Sequence, residues 1–362
     1  ANIFVAKARG FESALHASLF SNAVPVELYG LLLKTAEENL KDTLHRYVAV
    51  RKKAMKLDKI HYYDLYNPLI EKVEKSVDYE NGVEMIGKSL APLGGDYAKT
   101  ALNGMKAGSG WTDIYPNKGK RSGAYCTAAY GEAPYVFMNF MNELEDVFTL
   151  AHEYGHAMHY YYSIKHQPYP TYESPIFLAE IASTFNEELL LSHLLKKAKT
   201  KEEKLFLLNK RLENIRTTVF RQVMFAEFEW LIHKEIEGGG ALTAQRISEI
   251  YGGLIRKYYG PEFEIGENDN VEWSYVPHFY YNFYVFQYAT GLMSAIALSQ
   301  KVLKGEKGAV ERYLDFLKSG GSDYPLNILK KAGVDFSTPE PMLMTFELFR
   351  KTLDEFEKEL QP

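Results

Sequence analysis

The run His152-Glu153-Tyr154-Gly155-His156 constrains this chain more than any other stretch. In a helix, residues four apart stack one turn above each other on the same face. His152 and His156 can therefore grip one metal ion. Glu153 leaves the same turn at an offset, within reach of a water on that ion rather than of the ion itself. A catalytic zinc takes three protein ligands plus a water, and it lowers the pKa of that water toward ~7. A carboxylate beside it can remove the water's proton and later pass it on to a leaving amine. The surrounding residues support a helix. Asn142 with Glu145 has the spacing of a capping box. Leu144, Phe148, Ala151, Gly155 and Met158 form an apolar stripe. The competing reading is a pair of hydrogen-bonded histidines on a polar helix face.

A third ligand must come from elsewhere. The zincin pattern with a histidine ten residues after the first places Tyr162 there, which excludes that class. His159 lies on the same face, but a ligand in line on one straight helix closes a tetrahedron poorly. Glu180 sits between Ala179 and Ile181 in a second helical stretch, and a carboxylate among apolar neighbours needs a partner such as a metal ion or another polar group. Glu187, seven residues on, shares its face and suits the orienting of a ligand histidine through its ring N–H. Further along, His278, Tyr281, Tyr284 and Tyr288 fall at spacings that share one helix face. Phenols and an imidazole can donate to the oxyanion of peptide hydrolysis. An aromatic stripe of this kind is also ordinary core packing.

The rest of the chain reads as mostly helical. Residues 11–57 fit two or three helices, with Leu28, Leu31, Leu32 and Ala36 at helical spacing. Tyr62 to Pro68 breaks the pattern, and a further helical stretch runs from about Tyr79 to Met105. Two short aromatic runs, Ser122 to Ala128 and Pro134 to Phe140, flank Tyr130-Gly131-Glu132 and predict a β-hairpin. Helices then continue to the end, broken at Gly238-Gly239-Gly240, Tyr259 to Asn270, and Gly320-Gly321-Ser322. The chain divides into a helical segment at 1–110, a small β segment at 111–140 and a helical catalytic region at 141–362. Gly82 to Ser89 matches the P-loop pattern letter for letter. The preceding residues 71–75 are too charged for a buried strand, however, and Val83, Ile86 and Leu90 lie at helical spacing. The match predicts a helix, and nucleotide binding is the discarded alternative.

Composition excludes several classes. The net charge of -5 gives no basic surface for nucleic acid or anionic lipid, and no apolar run reaches the ~20 residues of a membrane helix. The N-terminus lacks the apolar stretch of a signal peptide. The single cysteine, Cys126, cannot form an internal disulfide, which fits a cytoplasmic protein. Oligomeric state is not legible. The chain opens on Ala1 rather than methionine, as a processed protein or a piece of a longer one does.

The three motifs together, HEYGHAMH, AEIASTFNE and HFYYNFYVFQYATG, resemble the M3 family of oligopeptidases, most of all its oligoendopeptidase F branch. GKRSGAYC at 119–126, GGSDYP at 320–325 and AKARGFESAL at 6–15 extend the resemblance over essentially the whole chain. It implies a mostly α, gluzincin-type zinc peptidase fold with a small β-sheet beside the active-site helix and a deep substrate channel. It implies one Zn2+ per chain on His152, His156 and Glu180, with Glu153 as base. His278 and one or more of Tyr281, Tyr284 and Tyr288 are implied as substrate and oxyanion donors. The substrates implied are short peptides. The stretch from Gly119 to Thr127, with Gly123, Ala124 and Tyr125, resembles the family's substrate-facing edge, to which a peptide can add as a strand. Family members usually carry a helical region ahead of the part that begins here, forming one channel wall. Its lack implies an alternative expectation, a low-activity fragment that binds zinc and peptides.

Overall fold

The computed structural model describes residues 1–70 and 76–361. The charged run at 71–75 and the final residue of the predicted catalytic region lie outside them. Contacts divide the chain into two compact units that cut across the three consecutive segments read from the sequence. One gathers Ala1–Lys72, Thr200–Thr290 and Phe336–Pro362; the other gathers Val73–Lys199 and Gly291–Asp335.

The first unit is helical. Its N-terminal part holds Asn2–Ala8, Ala14–Phe20 and Val26–Asn39, the last running through a π-helical turn at Lys41–His45 into Arg46–Ala54. Leu28, Leu32 and Ala36 are buried as the spacing predicts, while Leu31 is only half-buried and Leu33 is buried instead. Lys201–Ile215 likewise passes through a π-helical turn, Arg216–Phe220, into Arg221–Glu237; Ala244–Tyr259 and Glu340–Leu360 complete the unit. Aromatic rings knit these helices, Tyr47 with Phe349 at 5.9 Å and Phe220 with Phe346 at 5.4 Å between centroids. The break at Tyr62 to Pro68 is a 3-10 turn held from inside. The buried Arg51 guanidinium donates to Asp64 O at 2.8 Å and Asn67 O at 2.7 Å. This arginine is 1% exposed, and backbone carbonyls and Glu213 receive its Nη donors, while its Nε has no partner among the described residues.

The second unit holds Tyr79–Ser89, Gly95–Met105, Leu144–His166, Ile176–Lys197, Ala309–Lys318 and Pro325–Ala332, with a small sheet against Leu144–His166. Strands β1 (Thr112–Asp113), β2 (Tyr125–Thr127) and β3 (Tyr135–Phe137) are ordered β1-β3-β2. The hairpin is present, since β2 pairs antiparallel with β3. Its strands are shorter than the apolar runs, and β1 joins β3 in parallel, a non-local pairing that no local pattern announces. The glycine-rich match at 82–89 is helix, with Gly82 set against Val147, Gly87 against Leu102, and Lys88 paired with Glu84. These glycines admit neighbouring side chains rather than wrap a phosphate. Helices end at each predicted glycine break, and among the described residues no helix is long and apolar enough to cross a membrane.

Candidate metal centre

Helix Leu144–His166 starts one residue later than its sequence predicts. Asn142 has φ +65° and its carbonyl accepts from Val77 N, so it closes the preceding loop. Glu143 is the cap, and the Asp146 carboxylate accepts from Glu143 N at 2.9 Å and from Met141 N at 2.8 Å. An acidic first turn also suits the positive end of the helix dipole. Of the stripe, Phe148, Ala151, Gly155 and Met158 are buried and Leu144 is half-buried.

Gly155 sets the distance to helix Ile176–Lys197. A Cβ built there would stand 2.3 Å from Ala182 O and 2.4 Å from Ser183 Cα. The two backbones thus meet where any side chain would hold them apart. Asn186 Nδ2 donates across the contact to Ala151 O at 3.2 Å. This close approach brings Glu180 to the two histidines.

Three donor atoms then lie in a near-equilateral triangle. His152 Nε2 and His156 Nε2 are 3.2 Å apart, and Glu180 Oε2 is 3.3 Å from the first and 3.4 Å from the second. A tetrahedral zinc with bonds of 2.0–2.1 Å has ligand–ligand edges of about 3.3–3.4 Å. Two nitrogens and one carboxylate oxygen at these spacings fit such an ion, and they are the metal-competent trio found among the described residues. Ser183 Oγ donates to Glu180 Oε2 at 3.0 Å and holds that carboxylate in place. His152 Nδ1 meets Glu187 Oε1 at 2.6 Å. A carboxylate at Nδ1 keeps the ring proton there and leaves Nε2 as the ligand lone pair.

Electrostatics point the same way. Burial lowers the pKa of His152, but Glu180 and Glu187 outweigh it and lift the value to about 10. Burial raises that of Glu180, and His152 with His156 hold it well below the carboxylate range. Both shifts come from the close approach of the Glu180 and Glu187 carboxylates to the histidine pair. Glu153 is 6% exposed; burial pushes its carboxyl up, the two histidines pull it down, and its Oε2 has no hydrogen-bond partner among the described residues. The thiol of Cys126, on β2, is pushed up by burial and by Glu153, which places that strand beside the glutamate. Glu187→Ala is expected to weaken metal binding about 10- to 100-fold. Zinc titration of the metal-free protein reads this directly.

The other sequence candidates fall as follows. His159 is buried, turned to Ser174 Oγ at 2.9 Å, and held neutral by burial with a pKa of about 3, away from the donor triangle. Of Gly123, Ala124 and Tyr125, only Tyr125 belongs to a strand. Gly123 has φ +93° and its carbonyl accepts from Asn139 Nδ2 at 2.8 Å, so the edge begins at Tyr125. β2 is an edge of the sheet, and Tyr125 is exposed.

His278, Tyr281, Tyr284 and Tyr288 do not share a helix face, contrary to their spacing. Pro277–Tyr281 is a 3-10 turn, Asn282 and Phe283 take left-handed φ of +49° and +58°, and the α-helix begins only at Phe286. The bend still gathers the four rings. His278 lies 5.8 Å from Tyr281 and 5.9 Å from Tyr288 between centroids, and Tyr284 lies 5.2 Å from Tyr288. The Tyr288 hydroxyl is 3.3 Å from His278 Nε2. None of the four is buried, so core packing does not account for them. Sequence reading missed Ser183 and Asn186. Ser183 is three residues after Glu180, a spacing that could have flagged it; Asn186 acts across helices and leaves no local signal.

The chain matches the family model described as Peptidase family M3 over residues 2–348. It is 48% identical over 355 residues to Oligopeptidase PepF of Bacillus subtilis, covering 98% of this chain and 52% of that protein. It is 41% identical over 355 residues to the chromosomal Oligoendopeptidase F of Lactococcus lactis subsp. cremoris, covering 98% and 58%. The crystal structure of oligoendopeptidase-F from Enterococcus faecium is similar at a TM-score of 0.80 and 36% identity, over 99% of this chain and 57% of that one. The chain therefore spans a little over half the length of these relatives.

Proposed function

The chain belongs to peptidase family M3, and on that premise we propose that it is a zinc-dependent endopeptidase acting on short oligopeptides. The observation that carries the reading is the triangle of His152, His156 and Glu180 donor atoms with the unpartnered Glu153 oxygen beside it. A zinc ion held there supplies Lewis acidity, polarising a carbonyl oxygen and acidifying a water. The chain's own residues do the rest. Glu187 orients His152. Glu153 Oε2 takes the proton of a water as that water's oxygen bonds to the scissile carbonyl carbon. It then returns the proton to the amine nitrogen as the C–N bond breaks. A carboxyl raised by burial is suited to both transfers, because it holds the proton between them. Strand β2 offers Tyr125–Thr127 as an edge for a substrate backbone. His278 with Tyr281, Tyr284 and Tyr288 are assigned to the substrate carbonyl and its oxyanion; the resemblance of their stretch and their gathered hydroxyls support this role. One preorganised donor of this kind is worth about 3–4 kcal/mol in the transition state.

The test is cleavage of an internally quenched peptide by protein of measured zinc content. About one zinc per chain, with cleavage lost to a chelator and restored by zinc, is the expected result. Zinc without cleavage favours a second reading, a chain that binds metal and peptide but turns over little. The specific observation behind that reading is the share of the relatives' length that this chain spans. The single cysteine is the basis for placing the chain in the cytoplasm.

A further inference from the structure

We propose that Glu229 is the positioning residue of the His278–Tyr288 cluster, the buried acceptor that locks the left-handed bend at Asn282 and Phe283. The proposal rests on the reading of that cluster as substrate donors. Glu229 lies on helix Arg221–Glu237 with no exposed surface. Its Oε1 accepts from Phe283 N at 2.5 Å, and its Oε2 is buried with no partner among the described residues. Among the described residues no cation pairs with it. An unpaired carboxylate in such a place is costly, so its hydrogen bond to a loop amide calls for a reason.

The bend supplies the reason. Two consecutive non-glycine residues at positive φ are rare, and a phenylalanine there is an outlier that surrounding structure must enforce. Three helices do so. Ser18 Oγ, at the end of Ala14–Phe20, donates to Asn282 O at 2.6 Å. Tyr29, on Val26–Asn39, packs edge-on against the Phe283 ring at 5.9 Å between centroids. His233, one turn beyond Glu229, lies 4.6 Å from the same ring. Among the described residues, Glu229 is the acceptor that holds the Phe283 amide. His278 and Tyr281 precede the bend, Tyr284 and Tyr288 follow it, and the rings meet because the chain turns here. Losing the amide's acceptor frees one half of the cluster from the other.

Burial pushes the Glu229 carboxyl up to about 8, while the Phe283 amide pulls the other way. The titratable groups beside it are Tyr29, itself raised by burial and by Glu229, and His233, lowered by burial; neither brings a positive charge. The folded value lies above the ordinary carboxylate value. By linkage the folded chain as a whole loses stability as pH rises through about 8, whereas the ionised carboxylate accepts the Phe283 amide more strongly, so the bend does not depend on the protonated form.

The experiment compares Glu229→Ala and Glu229→Gln with the natural protein by hydrogen exchange over 279–286, by bound zinc, and by kcat and KM from pH 6 to 9. Glu229→Ala is expected to speed exchange in that segment and lower kcat at least tenfold, with zinc unchanged. Glu229→Gln keeps a neutral acceptor. It is expected to rescue most of kcat and to return exchange over that segment to the natural rate. Natural exchange in Glu229→Ala, or exchange in Glu229→Gln as fast as in Glu229→Ala, overturns the proposal. Should Glu229→Ala fail to fold, Glu229→Met, which keeps most of the volume and removes the acceptor, decides by the same exchange comparison. His278→Ala and Tyr288→Phe separate the two readings. If they lower turnover while the Glu229 variants do not, the positioning role is wrong. If they leave turnover intact while exchange responds to Glu229, it is the reading of the cluster as donors that falls.

Discussion

Glu153→Gln is expected to lower kcat/KM for a short quenched peptide by roughly 10²- to 10⁴-fold, the usual contribution of a general acid–base group. The zinc content should stay at that of the natural protein. Glutamine matches glutamate in shape and keeps an oxygen, so the buried position beside His152 and His156 is filled without a new cavity. It cannot accept a proton from water at Nε2, and Oε1 is a far weaker base than a carboxylate. No neighbour can take over. Glu180 lies within 3.4 Å of both histidines, and Glu187 is committed to His152 Nδ1 at 2.6 Å. Beside the two histidines, the Glu153 Oε2 atom is buried without a partner among the described residues. Turnover retained at full metal occupancy would remove Glu153 from the mechanism. Loss of metal along with turnover would instead make it a structural support of the site.

Gly155→Ala should damage fold and centre together. The added Cβ would sit 2.3 Å from Ala182 O and 2.4 Å from Ser183 Cα, and both are backbone atoms inside a helix. Neither can swing aside as a side chain would, so the two helices must separate by about the missing ångström. Overpacking a core ordinarily costs about 1–3 kcal/mol, and a contact with rigid backbone belongs at or above the top of that range. The separation also stretches the Asn186–Ala151 hydrogen bond and draws Glu180 away from His156. The unfolding midpoint in denaturant should fall, and zinc affinity should fall at least tenfold in the protein that remains folded. A variant with unchanged stability and unchanged zinc affinity would show that the helices do not depend on this contact.

Much of this chemistry was legible along the chain because it is local. A helix repeats every 3.6 residues, so the spacing of His152 and His156 already puts their rings on one face. The glycine breaks and the hairpin follow from residue types that punctuate structure wherever they occur. The errors share one cause. Asn142 and Glu145 have the letters of a cap, but Val77 claims the Asn142 carbonyl and shifts the cap to Glu143. Gly123 looks like strand, but Asn139 turns its carbonyl away. The spacing of His278, Tyr281, Tyr284 and Tyr288 looks helical, but Glu229 and Ser18, far away in sequence, hold a bend between them. In each case a distant partner outweighs a weak local preference, and no periodicity records that partner.

The sequence by itself determined which residue types carry the chemistry and which of them share a helical turn, because backbone geometry alone converts spacing into direction. Only the tertiary structure decided that Glu180 reaches both histidines, that the sheet gains a parallel third strand, and that four rings meet across a bend. Those outcomes depend on how closely two backbones approach at Gly155 and on where the buried carboxylate of Glu229 finds an amide. Both are distances between segments remote in sequence, set by packing.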